Sequence, residues 1–178
     1  PGPQEVTVQY THDDNVVYSC AYNITVNAQE DSESGAISGK ITSYGGNEVV
    51  TVELWKIGEN TPACTVTTTD GTYVLTDVAP GEYILKVSKK NHVTRSYSVS
   101  SQGGDITLDA KICLLGDVNG DGKINIGDAA RGYSHVKKSS LLTDEYAQQC
   151  TDASGDGKIN IGDIAKIYAH VKNTAKLW

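Results

Sequence analysis

No stretch of this sequence is apolar over the roughly twenty residues a helix needs to cross a bilayer, so direct membrane insertion is not expected. Basic residues are also scarce. Fifteen Lys and Arg stand against 22 Asp and Glu, a net charge of −7 that leaves no basic footprint for nucleic acid. Neither a Gly-x-Ser-x-Gly elbow, nor His-Glu-x-x-His, nor a phosphate loop occurs, and no catalytic site is expected. Cys-x-x-Cys is missing too, which argues against structural zinc. Cys20, Cys64, Cys113 and Cys150 allow three disulfide pairings, between which the sequence does not choose, and free buried thiols are expected over any bridge. No signal segment is recognisable. A start at Pro1 without Met is expected of a piece of a longer secreted protein.

What the sequence does contain is one acidic segment twice. Asp117-Val-Asn119-Gly-Asp121-Gly-Lys123-Ile-Asn125-Ile-Gly-Asp128 returns thirty-five residues later (152 − 117 = 35) as Asp152-Ala-Ser154-Gly-Asp156-Gly-Lys158-Ile-Asn160-Ile-Gly-Asp163. Calcium, a hard cation, takes about six to eight oxygen ligands, and a loop of about twelve residues supplies them from positions 1, 3, 5, 7, 9 and 12. Both copies fit that register. Asp117, Asn119, Asp121, Asn125 and Asp128 offer side-chain oxygens and Lys123 its carbonyl; Asp152, Ser154, Asp156, Asn160 and Asp163 do the same with Lys158. Position 6 is Gly122 and Gly157, where the sharp turn favours a residue without a Cβ. Asp, Asn and Gly also form ordinary turns, but two full-length copies with every ligand position filled set that reading aside. Three carboxylates in each loop repel one another unless a cation neutralises them, so the calcium-free form is expected to be partly unfolded. Two Ca²⁺ ions would bring the net charge from −7 to about −3.

Position 12 is Asp, one methylene shorter than the Glu of sensor EF-hands. The preceding residues, 106–115, alternate like a strand, so the first unit reads as loop then helix. This duplicated loop–helix unit, opening with Gly116-Asp117-Val-Asn119-Gly-Asp121-Gly-Lys-Ile-Asn125, resembles a dockerin, the anchoring module of cellulosomes and related complexes, over residues 113–178. The resemblance implies a small all-α module with duplicated EF-hand-like (F-hand) motifs, two bound Ca²⁺ and three helices. It also implies a high-affinity partner, a cohesin carried on a scaffoldin or cell-surface anchoring protein.

The repeat continues into two helices of about three turns. Ala129, Gly132 and Val136 share a face, as do Ile164, Ile167 and Val171, and with Ile124 and Ile159 they are the expected core. Another face carries Ile126, Ala130, Tyr133, Ser134 and Lys137, matched by Ile161, Ala165, Tyr168, Ala169 and Lys172. Dockerins carry partner contacts at loop positions 10 and 11 and helix positions 17, 18 and about 22. The resemblance thereby points to Ile126, Gly127, Tyr133, Ser134 and Lys138, and to Ile161, Gly162, Tyr168, Ala169 and Asn173. Many dockerins have Ser-Thr at positions 10 and 11. Ile-Gly in both copies implies a cohesin that does not read those hydroxyls. The tyrosines are expected at an interface, where large contact area and a polar tip are favoured. Near-identity of the copies permits two binding orientations, although Gly132 opposite Ile167 makes them unequal, and a mid-helix glycine costs about 1 kcal/mol relative to alanine. Leu177 or Trp178 is expected to clasp against Leu114 and Leu115.

Upstream, residues 36–112 alternate as seven strands: 37–43, 49–56, 63–68, 72–78, 82–88, 93–99 and 105–112. Thr69-Asp-Gly-Thr-Tyr73-Val-Leu75 and Ala79-Pro-Gly81-Glu-Tyr83-Ile-Leu85-Lys-Val87 resemble the carboxypeptidase-regulatory-like, or transthyretin-like, β-sandwich. That resemblance implies a non-catalytic sandwich with Tyr73, Leu75, Tyr83, Leu85 and Val87 in its core. A sandwich set directly before a dockerin is similar to an X-module. Only about four residues separate its last strand from Asp117, so a rigid junction is expected. Residues 1–35 read as two strands around His12-Asp-Asp-Asn15, either the end of a preceding domain or extra strands, and Asp31-Ser-Glu-Ser-Gly35 as a linker.

The expected architecture is thus an all-β sandwich followed by a small all-α unit. The expected role is a non-catalytic, calcium-dependent protein–protein anchor in a secreted, extracellular or cell-surface complex. The alternative is a calcium-stabilised carbohydrate-binding adhesin, with Trp55 and the ten tyrosines as stacking surfaces.

Overall fold

The computed structural model describes residues 4–11, 17–24 and 34–178. By contacts, the chain separates into residues 1–33 and 34–178. In the first unit, β1 (Gln4–Thr11) and β2 (Val17–Ile24) form an antiparallel pair in register from Gln4 opposite Ile24 to Thr11 opposite Val17. The expected turn at 12–15 and most of the expected linker lie outside the described residues.

Period-two patterning builds the sandwich in the second unit. Val50, Val52 and Leu54 of β4 (Val50–Lys56) point inward while Thr51 and Glu53 alternate outward. Tyr83, Leu85 and Val87 of β7 (Gly81–Lys89) and Tyr73 and Leu75 of β6 (Thr72–Val78) join them in one buried cluster. Each fully buried Val or Leu contributes roughly 1.5–3 kcal/mol, which makes this cluster the main source of stability in the sandwich. One sheet runs β5 (Cys64–Thr68), β4, β7, β8 (Arg95–Ser101), antiparallel throughout. The other centres on β3 (Gly35–Thr42), with β6 antiparallel on one side and β9 (Ile106–Thr107) and β10 (Ala110–Lys111) parallel on the other.

Two expected strands differ from those observed. The run at 105–112 is split into β9 and β10, because the Asp105 and Asp109 carboxylates accept the N–H groups of Ala36 (2.9 Å) and Lys40 (2.8 Å) in place of ladder carbonyls. Gly35 and Gly39 allow this approach: a Cβ on either would strike the backbone of Gly104 or Leu108. Strand β8 starts at Arg95 rather than Val93, because residues 91–93 are bonded to the segment leaving the sandwich. Leu115 N–H donates to Asn91 O (3.0 Å), Val93 N–H to Cys113 O (3.0 Å), and His92 bridges Leu114.

After this junction the pattern turns helical: α1 (Ile126–Val136), α2 (Glu145–Thr151) and α3 (Ile161–Val171). Ala129, Ile164 and Ile167 are buried together, with Ile124 and Val136 partly so. Val118, Leu142 and Ala147 complete this core and were not among the expected core residues. The asymmetry at Gly132 has a packing cause. A Cβ there would lie 2.5 Å from Ile164 Cδ1 and 3.1 Å from Thr151 Cγ2, so the Ile164 side chain occupies the space. Gly132→Ile, which makes the two copies alike, is expected to lower stability by about 1–3 kcal/mol through overpacking. Gly132→Ala should be nearly neutral, since a helix-propensity gain of about 1 kcal/mol offsets the displaced methyl. Urea midpoints of the two variants measure this, and an isoleucine variant as stable as the parent would show that α1 and α3 do not meet at this point.

The clasp of the C-terminus is shifted from its expected partners. Leu177 reaches Gly116, whose Cβ would lie 2.7 Å from Leu177 Cδ1, and Trp178 packs its ring 5.0 Å from that of His170.

Candidate calcium loops and the paired-helix face

Each loop is organised by its first carboxylate. Asp117 Oδ1 accepts N–H bonds from Gly120 (2.8 Å) and Asp121 (3.1 Å), and Oδ2 from Gly122 (2.9 Å). Asp152 repeats the pattern with Gly155 (2.9 Å), Asp156 (3.3 Å) and Gly157 (2.7 Å). Gly122 and Gly157 sit at φ +87° and +78°, the left-handed region where a Cβ is strained. Asp121 and Asp156 each accept the N–H of the lysine two residues on, at 2.9 Å. Asn119 accepts from Asp121 N–H and donates to its carboxylate, both at 2.9 Å, while Ser154 Oγ donates to Asp152 at 3.1 Å.

Position 12 has two jobs. Asp128 Oδ1 accepts from Asn119 N–H (3.1 Å) and Oδ2 from Asn125 N–H (2.9 Å), and Asp163 does the same with Ser154 and Asn160 (2.9 Å each). Asn125 and Asn160 in turn cap α1 and α3, so each pair forms a capping box. The shorter Asp fits this role, three residues after the cap. An Asn followed three residues later by Asp before an apolar run was the available sequence signal.

The donor set fits a hard divalent cation. Asp117, Asp128 and Asp163 are at most 1% exposed, and among the described residues none forms an ion pair; the pair present, Lys90–Glu48, is elsewhere. A buried ionised carboxylate is unfavourable without a compensating charge. Burial accordingly pushes the Asp128 carboxyl above its ordinary pKa. At the more exposed Asp152, burial also raises the pKa, but the bonds from Gly157, Ser154, Gly155 and Asp156 outweigh it and hold the group lower. Among the described residues no three His, Cys, Asp or Glu side chains converge as a metal cluster. Calcium does not require one, because amide, hydroxyl, carbonyl and water oxygens supply much of its shell.

The two loops differ in their surroundings. The Tyr44 ring of the sandwich lies against Gly122, leaving no room for a Cβ, and its hydroxyl donates to Gly120 O (3.4 Å). Lys111 Nζ donates to the same carbonyl (2.8 Å). The segment bearing Tyr44 is itself anchored: buried Lys89 donates to Ser43 Oγ, Tyr44 O and Gly46 O, and Tyr44 N–H donates to His92 Nε2 (3.1 Å). Gly157 has nothing within 4 Å. Nothing in the local pattern around Tyr44 announces this roof over one loop.

The loops present two equivalent helix faces. Ile126, Tyr133, Ile161 and Tyr168 are exposed at 57, 44, 58 and 45%. With Ala129, Ala130, Ile164 and Ala165 they line an apolar groove of about 330 Å³. Lys137 and Lys172 hold their ammonium groups 5.6 and 5.7 Å from the Tyr133 and Tyr168 rings. Other expected contact residues are placed differently. Ser134 is half-buried and spends its hydroxyl on Ala130 O (3.0 Å), and Ala169 is half-buried. Gly127 and Gly162 donate to the capping asparagines at 2.7 Å, and a Cβ on either would crowd the cap oxygen at 3.0 Å. Lys138 and Asn173 end the helices at φ +57° and +56°. His135 and His170 each accept a backbone N–H seven residues on, from Leu142 (3.0 Å) and Leu177 (3.3 Å). Burial, then Lys176, keeps the His170 pKa below the ordinary value, consistent with an accepting neutral ring.

Residues 115–172 match the family model of the dockerin type I domain, and residues 34–114 that of the second β-sandwich domain of a NOMO1-like BOS complex subunit. Among curated proteins none matches the chain. Similar solved structures include two interface mutants of a type II cohesin–X–dockerin complex from Acetivibrio cellulolyticus. The N-terminal interface mutant is 24% identical with TM-score 0.39, and the C-terminal one 21% with TM-score 0.38; each match covers 77% of this chain and 95% of that one. The major pilin subunit of Bacillus cereus matches at 11% identity and TM-score 0.33, over 61% of this chain and 37% of the pilin. The duplicated loops, their paired helices and the family match agree: this chain carries a dockerin type I domain over residues 115–172, preceded by a β-sandwich over 34–114.

Proposed function

We propose that residues 113–178 bind a cohesin through the α1/α3 face, and that two Ca²⁺ ions, one in each loop, order the helices for it. The ligands would be Asp117, Asn119, Asp121, Lys123, Asn125 and Asp128 in the first loop, and Asp152, Ser154, Asp156, Lys158, Asn160 and Asp163 in the second. The sandwich over 36–112 serves as a stabilising spacer, its Tyr44 resting on the first loop, and residues 1–35 belong to what precedes it. The unit is non-catalytic. It tethers its parent protein to a scaffoldin or cell-surface protein in an extracellular polysaccharide-degrading complex.

The observation that carries this reading is the pair of exposed Ile and Tyr residues on helices whose first turns are built by the loop carboxylates. An apolar–aromatic surface of this kind is rare unless it is used for contact. Nothing favours the adhesin alternative: one face of the Trp55 ring is already covered by Lys86 Nζ at 4.0 Å. Calorimetric titration of a cohesin panel against the whole chain tests the proposal. Binding of at least one cohesin in calcium and its loss in EDTA is expected; binding that survives EDTA would separate the anchor from calcium.

A further inference from the structure

Cys113 and Cys150 stand 37 positions apart (150 − 113 = 37) yet form one small buried cluster with Tyr146 and Val93, apart from both main cores. Cys113 follows β10 and Cys150 lies in the last turn of α2. They are 5% and 1% exposed, both are thiols in this structure, and they belong to the same buried cluster. A cavity of about 140 Å³ reaches both, lined also by Arg95, Lys111 and Asp117. The backbone on each side is already fixed. Cys113 N–H donates to the Tyr146 hydroxyl (2.9 Å), which itself donates to Val93 O (2.7 Å), and Gly116 N–H donates to Cys150 O (2.8 Å). Two buried thiols in one cluster, on backbone segments hydrogen-bonded across to each other, need only side-chain rotation to bring their sulfurs together where the backbone sets the short Cβ separation of a disulfide.

We propose that Cys113 and Cys150 form a disulfide on oxidative folding, stapling the sandwich junction to α2. Each sulfur gives up its proton and one S–S bond forms. The two electrons reduce the disulfide of oxidised glutathione or of a thiol–disulfide oxidoreductase to two thiols. Cys113 precedes Asp117 by four residues and Cys150 precedes Asp152 by two, so the bond fixes the starts of both loops relative to each other. The staple is independent of which partner the helix face binds.

The test uses the whole chain, refolded in calcium and a glutathione redox buffer, alkylated with N-ethylmaleimide, digested without reduction and mapped by mass spectrometry. The expected product is a linked peptide pair carrying Cys113 and Cys150, lighter by two hydrogens than the reduced pair and lost on reduction. The oxidised chain should also melt roughly 10 °C above the same chain in dithiothreitol, while a Cys113→Ala, Cys150→Ala variant should be indifferent to the reductant. Alkylation of both cysteines after oxidative refolding, or linkage of either to Cys20 or Cys64, overturns the proposal.

Discussion

Replacing Ile126 and Ile161 together by aspartate is expected to abolish capture of any cohesin the parent chain binds, while both loops keep their calcium. These isoleucines are more than half exposed, lie outside all three buried clusters, and flank the groove between α1 and α3. Their removal therefore costs little internal packing. Aspartate in the first helical turn also suits the positive end of the helix dipole, so the fold should tolerate the charges. The partner would not. Apolar anchors at the centre of an interface are worth about 2 kcal/mol or more each, and two of them correspond to roughly a thousandfold loss in affinity. Calorimetry with a bound cohesin, run beside a calcium titration, separates the two effects, and undiminished affinity in the double variant would remove this face as the interface. The single variants carry further information. If the near-symmetric copies allow the module to turn round, each single change leaves one intact copy to serve as the dominant face, and the loss is small until both are altered.

The local structure of the loops was legible because each position is dictated by chemistry within a dozen residues. Glycine at position 6 and carboxylates at 1, 5 and 12 each specify their own backbone. The exposed tyrosines followed from counting faces once Ile and Val had filled the core. What the sequence hid was long-range. Gly132 reads as a weak point in a helix until Ile164 is seen filling the space a side chain would need. The run at 105–112 alternates like a strand, and nothing local announces that Asp105 and Asp109 will take the place of ladder carbonyls on β3. Tyr44 reads as a turn residue. Its place over Gly122 depends on the buried Lys89 ammonium and on His92, both more than forty residues away. Leu142 and Leu177 donate to histidines seven residues earlier, and a contact from beyond a helix end has no periodic signature.

Asp128→Asn is expected to change sign with calcium. Asp128 is fully buried with no cationic partner among the described residues, and burial raises its pKa, so ionising it in the calcium-free fold is costly. Asparagine removes that charge and keeps one oxygen to accept a loop N–H. In EDTA the variant should be as stable as the parent or more so. In calcium the order reverses: losing one of three carboxylates should weaken the first site by roughly two orders of magnitude, and the ligand-linked stability of the helical half falls with it. Asp128→Ala is the comparison that isolates the cap. It strands the Asn119 and Asn125 N–H groups and breaks the capping box, a loss of roughly 3–5 kcal/mol with or without calcium. Thermal unfolding followed by far-UV circular dichroism in both conditions decides the matter. An Asp128→Asn variant equally destabilised in EDTA and in calcium would make the carboxylate a cap alone. Asp163→Asn repeats the experiment in the second loop, where the cap is the same and the burial equal but no tyrosine covers the turning glycine. A larger calcium-dependent loss at Asp128 than at Asp163 would then measure what the sandwich adds by resting on the first loop.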